Sequence, residues 1–159
     1  MGDYPPRTVR LGPGAEFDRI RAAIASGGEL PAAVRVGPGD DAAVIEGGWV
    51  LSTDLCVEDV HFRRSWLSDR EIGYRAAVTA LSDLAAMAAT PLGLLASIAV
   101  PDSEGVDLDA VQAGVAEAGR AHGASILGGD LSRSPGPLVL DIVVLGRTSW
   151  PVLRNGAEA

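Results

Sequence analysis

Five short acidic motifs stand at the edges of apolar runs: GPGDDAAVI (37–45), LSTDLCVEDVHF (51–62), LSDLAAM (81–87), VPDSE (100–104) and ILGGDLS (126–132). Four of them put an aspartate beside Gly, Ser or Thr at a predicted strand or helix end: Asp40/Asp41, Asp54, Asp83 and Asp130. The apolar runs must be buried, while unpaired carboxylates are costly to bury. Placed at such ends, the carboxylates would be delivered to one rim of a sheet. There they repel one another unless cations sit between them. Hard divalent ions such as Mg²⁺ take oxygen ligands and bridge carboxylates to phosphate groups.

The spacing of the apolar residues supplies the elements. Residues 1–14 are rich in proline and glycine and read as a flexible arm. Glu16 to Ala25 has helical spacing and stops at Ser26-Gly27-Gly28. Ala42–Ile45 and Trp49–Asp54, joined by Glu46-Gly47-Gly48, read as a hairpin that puts Asp41 and Asp54 at one end. Ser68 to Met87 is the strongest helix, with a Ser68/Glu71 capping box and apolar residues at 72, 76, 77, 80, 81, 84 and 87. Strands are expected at 93–100, 125–127 and 138–145, with a helix over 107–122 and a turn at Gly128-Gly129-Asp130. The layout is an α+β fold, a mixed four- to five-stranded sheet with helices on one face. Its strands are apolar on both sides, so the second face needs a cover of its own.

Composition excludes several chemistries. The 13 basic residues are all arginine. Without lysine there is no P-loop, no protein-kinase β3 lysine and no Schiff base. Any nucleotide must be held by metals, arginine and backbone N–H groups. A net charge of −8 argues against a nucleic-acid surface. No run reaches the ~20 apolar residues of a membrane span, and the N-terminus lacks the apolar stretch of a secretory signal. A cytoplasmic location is expected. Cys56, the one cysteine, sits in an apolar context and reads as a small core residue.

Each acidic motif alone is compatible with ordinary turn chemistry, because Asp, Gly and Ser favour turns locally. Asp83 is harder to explain that way, flanked as it is by Leu81, Leu84, Ala85 and Ala86 on a helix. Likewise His61 alone fits a core-edge histidine, and His122 a helix C-terminal partner. The combination is more specific. GDDAAV, STDL-x-VEDVHF, SDLAAM and GGD, in this order and spacing, closely resemble the N-terminal half of thiamine-monophosphate kinase. That family belongs to an ATP-binding superfamily with aminoimidazole ribonucleotide synthetase, selenophosphate synthetase and a hydrogenase-maturation enzyme. The VHF element favours the thiamine-phosphate branch, and the resemblance runs from Glu16-Phe17 to Arg154-Asn155-Gly156.

The resemblance implies the N-terminal domain of the aminoimidazole ribonucleotide synthetase-like fold. It divides the chain into an arm (1–14), an ATP/Mg-binding and dimerisation domain (15–148), and the start of a C-terminal domain (149–159). By motif, Asp41, Ser52, Thr53, Asp54, Asp83 and Asp130 become Mg²⁺ ligands. Gly129, Asp130 and Arg154 contact ATP, and His61 contacts thiamine monophosphate. The implied reaction is ATP-dependent phosphorylation of thiamine monophosphate to thiamine diphosphate, by metal-assisted in-line transfer without a dedicated catalytic base, in a homodimer. Alternatives are another enzyme of the superfamily or a non-catalytic Mg-nucleotide-binding and dimerisation module. The family's second domain adds further contacts, so the 159 residues alone are expected to turn over little or nothing. Two departures stand out: Ala80 replaces the family's asparagine and Ala88 its glycine. The first would remove an amide near Asp83, and the second would tighten local packing.

Overall fold

The computed structural model describes residues 13–102 and 105–154. The element order is α1 (Ala15–Ser26), β1 (Val34–Val36), β2 (Ala43–Ile45), β3 (Trp49–Val57), α2 (Asp69–Ala86), β4 (Thr90–Pro101), α3 (Leu108–Ala121), β5 (Ser125–Ser134) and β6 (Val139–Arg147). The strands form one six-stranded sheet in the order β1-β2-β3-β6-β4-β5. Only β4 and β5, linked through α3, run parallel; the other pairs are antiparallel.

The sheet is larger than the four to five strands expected. β1 is three residues long and lies in a stretch with no clear alternation. The expected turn at Gly128-Gly129-Asp130 is strand, because β5 continues to Ser134 in register with β4. Gly129 fits there for want of a Cβ, which would come 1.9 Å from the Ala96 carbonyl oxygen. The hairpin strand β3 also runs three residues past Asp54, so Asp54 lies within the ladder. The expected arm, residues 1–14, falls almost wholly outside the described residues, as does 155–159.

α2 and α3 cover one face. α2 starts at the expected capping box: the Glu71 N–H donates to Ser68 Oγ, and the Ser68 N–H donates to Glu71 Oε2 at 2.8 Å. Asp107 caps α3 by accepting the Ala110 N–H at 3.0 Å. The two helices cross at glycines, since a Cβ on Gly73 would lie 2.0 Å from the Val111 carbonyl oxygen and one on Gly114 1.9 Å from that of Arg70. α1, by contrast, buries none of its residues. No helix among the described residues is long and apolar enough to cross a membrane.

Register sorts the strand residues by face. Val50, Cys56, Leu140, Ile142, Val144, Leu94 and Ile98 point at the helices and are buried. Leu51, Thr53 and Leu55 of β3 lie in line with Leu145, Val143 and Asp141 of β6 on the other face. No described element covers that face, and Leu55 is 50% exposed. The expectation of strands apolar on both sides holds. Pro151 and Leu153 are buried against the core beyond β6, anchored where the Val152 N–H donates to the Met87 carbonyl.

Candidate functional site

On the helix-covered face, one cluster gathers residues from four parts of the chain. Asp83 projects from α2 toward β3, where Ser52 Oγ lies 2.5 Å from its Oδ2. Ser52 Oγ also lies 3.0 Å from the Asp41 carbonyl oxygen, which ties the GDD turn to the strand. The Asp41 N–H is capped by Asp40 Oδ1 at 2.9 Å. The Arg154 guanidinium donates to Asp41 Oδ1, and its backbone N–H points at both Asp40 carboxylate oxygens at 3.3 Å. Asp54, two residues from Ser52, shares this face.

The electrostatics follow from this crowding. Burial raises the Asp83 pKa, and the charges of Asp54 and Asp41 raise it further; the Ser52 hydrogen bond and Arg154 act in the opposite direction. Arg154 is held more basic than usual by its hydrogen bond to Asp41, by that carboxylate's charge, and by the charges of Asp40 and Asp83. A cation is favoured here, and the Arg154 guanidinium lies against Asp41. Cys56, next along the same face, is a buried thiol whose pKa is raised by burial and by the Asp54 charge.

Among the described residues, no three His, Cys, Asp or Glu side chains converge as a ready-made cation cage. The donor chemistry still fits Mg²⁺, which keeps several waters and takes one or two carboxylates together with substrate phosphates. Asp41, Asp54 and Asp83 with the Ser52 hydroxyl are an all-oxygen set of that kind.

The sequence-predicted residues therefore divide. Asp41, Ser52, Asp54, Asp83 and Arg154 come together. The Thr53 side chain faces the other way, and its Oγ1 lies 2.5 Å from Asp141 Oδ1 on the uncovered face. Gly129 and Asp130 lie on β5, three strands from β3, or about 14 Å at the usual strand spacing. Asp130 is in register with Ser97 and, through it, Asp141, so it also belongs to the uncovered face. His61 sits in the loop after β3, where its Nδ1 accepts the Val57 N–H at 3.0 Å.

Three residues had not been singled out as site residues. Asp40 was read only as the neighbour of Asp41. Asp141 was detectable as the one charge in LVLDIVVL. Glu58, 12% exposed, joins the loop after β3 to the start of β6; only its place in VEDVHF hinted at a role.

The two departures have plain structural consequences. Ala80 is fully buried, and Ser52 performs the orienting contact to Asp83. Ala88 does more than alter packing. It adopts φ 52° after the Met87 C-cap, with the Ala89 N–H on the Leu84 carbonyl and the Ala88 N–H on that of Ala85. This is a Schellman ending, which favours glycine at that residue.

Residues 39–148 match the family model of AIR synthase related protein, N-terminal domain, and the chain belongs to that family. Within it, the chain is similar to thiamine-monophosphate kinases. It is 40% identical over 139 residues to the thiamine-monophosphate kinase of Rhodopirellula baltica, an alignment covering 79% of this chain and 43% of the relative. Among solved structures, the thiamine monophosphate kinase of Aquifex aeolicus superposes with TM-score 0.75 at 26% identity, over 93% of this chain and 46% of that one. AaThiL complexed with AMPPCP and TMP superposes with TM-score 0.73, also at 26% identity, over 90% and 44%. The chain thus spans under half the length of these relatives.

Proposed function

We propose that this chain forms the Mg²⁺-ATP-binding and dimerisation domain (residues 15–148) of a thiamine-monophosphate kinase acting in the cytoplasm. The supporting observation is the cluster of Asp41, Ser52, Asp54 and Asp83. It is acidic, partly desolvated and neutralised by Arg154 in a chain that resembles kinases of this kind. Asp41, Asp54 and Asp83 would hold Mg²⁺ with the Ser52 hydroxyl, and bound Mg²⁺ would neutralise charge on the ATP phosphates. Arg154 would exchange its carboxylate partner for a nucleotide phosphate oxygen. The acceptor is the phosphate of thiamine monophosphate, already ionised near neutrality, so the residues need only align it with the γ-phosphoryl group. His61 would contact that substrate.

Thr53, Gly129 and Asp130 complete this reading through a second copy. Within one chain, Asp130 lies across the sheet from Asp54 and on the opposite face. A homodimer packed through the uncovered faces would bury Leu51, Leu55 and Leu95, and could bring Gly129 and Asp130 of one copy to the Thr53 edge of the other. The test is calorimetric titration of the chain with ATP in Mg²⁺, with Asp83→Asn as the control. Binding by the parent should weaken at least about tenfold in the variant, a loss of ~1.4 kcal/mol, with stability unchanged or higher because a partly buried charge, crowded by Asp54 and Asp41, is removed. Equal binding by both would sink the assignment. Turnover by this chain near the rate of a full-length relative would overturn the view that it supplies only part of the site.

A further inference from the structure

The loop that follows β3 contains an arrangement the carboxylate cluster does not use. The Glu58 N–H donates to the Leu138 carbonyl at 2.9 Å. Antiparallel ladders alternate, so the Val57 N–H points off the opposite edge of β3, where β2 has already ended beside Leu51. That N–H donates to His61 Nδ1 at 3.0 Å. A ring nitrogen that accepts a hydrogen bond carries no proton, so the neutral imidazole holds its proton on Nε2, at the exposed end of the ring.

The turn that folds His61 back is tightly bonded. The Val60 and His61 N–H groups both donate to the Val57 carbonyl, at 3.2 and 2.9 Å, and the Asp59 N–H donates to that of Phe62 at 2.7 Å. Asp59 adopts φ 64°, and Phe62 is buried beneath the turn. Glu58 ties the far end of the loop and the start of β6 together: Oε1 accepts from Arg64 Nε at 2.6 Å and Oε2 from the Leu138 N–H at 3.0 Å. Burial alone would raise the Glu58 pKa, but Arg64 and the Leu138 N–H outweigh it and hold the carboxyl below its ordinary range.

We propose that Glu58 is a positioning residue that clamps the 57–64 loop so that His61 presents a fixed Nε2–H donor, which makes this edge selective for an acceptor oxygen such as a substrate phosphate. The selectivity rests on the reading of His61 as the thiamine monophosphate contact; the clamp itself does not. The distinction is chemical. A ring free to rotate and tautomerise offers a donor or an acceptor, whereas one pinned at Nδ1 offers a donor only.

The test is ¹⁵N NMR of the histidine-labelled chain, in which two-bond imidazole correlations report the tautomers of His61 and His122 separately. His61 should be held as the Nε2–H form. Glu58→Ala should shift it to a mixture, and Glu58→Gln, which keeps one acceptor oxygen, should fall between. His122, at the end of α3, should not respond. A wild-type His61 protonated on Nδ1 would overturn the proposal. So would a tautomer ratio left unchanged by Glu58→Gln, a readout that remains should the alanine variant fail to fold. Inorganic phosphate and thiamine monophosphate should each shift the His61 Nε2 resonance. A pinned Nε2–H that depends on Glu58 yet ignores both ligands would support the clamp and overturn the substrate contact, so the two failures are distinguishable.

Discussion

The two faces of the sheet differ more than their sequences do. β3 sends Val50, Ser52, Asp54 and Cys56 toward the helices and Leu51, Thr53 and Leu55 away from them. On the covered side, apolar neighbours such as Val50 and Cys56 are buried, and the polar residues form the partly desolvated carboxylate cluster with Asp83 and Arg154. The uncovered side carries leucine and valine around a hydrogen-bonded Thr53–Asp141 pair, with Asp130 in register one strand beyond Ser97. One face is finished by the chain's own helices. The other is left open by the described elements, and under the proposed dimer a second copy would cover it.

The difference can be broken by substitution, and the largest effect is expected on the covered side. Leu84, fully buried on the inner face of α2, should cost about 2–5 kcal/mol when changed to alanine, read by urea unfolding. Leu55→Ala on the uncovered face should cost under about 1 kcal/mol for the monomer; an equal cost would show that both faces belong to the folding core. Next in size is assembly. Leu95→Asp should turn a dimer into a monomer by sedimentation while leaving the helical circular dichroism intact, and a dimer that survives would point to another interface.

A smaller effect concerns Glu58, which joins the loop after β3 to the start of β6. Its pKa is lowered in the fold, so its stabilisation is complete above the ordinary glutamate pKa and is lost as pH falls through the lowered value. Glu58→Gln should remove that acid-limb dependence and cost about 1–3 kcal/mol at neutral pH; an unchanged pH profile would show that the carboxylate is not coupled to folding. The smallest change is at the α2 ending, where Ala88→Gly should raise stability by about 0.5–1 kcal/mol by relieving the left-handed backbone.

Much of the covered side was legible in the sequence because its signals are local. The Ser68/Glu71 box, the 3.6-residue spacing of α2 and the hairpin turn act within a few residues, and each formed where expected. Hairpin geometry alone put Asp41 and Asp54 at one end; that Ser52 ties Asp41 to Asp83 is seen only in the structure. The GGD segment was misread for the same reason: glycines next to an aspartate signal a turn locally. Gly129 instead answers to β4, whose Ala96 carbonyl leaves no room for a Cβ.

The sequence by itself determined the chemistry on offer: oxygen donors, arginine as the only strong cation, and apolar runs that demand burial on both sides. Only the tertiary structure decided who meets whom. Arg154 reaches Asp41 across 113 residues, and Asp130, which its motif groups with Asp54, lies across the sheet and on the opposite face. Composition and spacing act along the chain, whereas strand order and register are set by packing between distant segments. A one-residue change of register would send each aspartate to the other side.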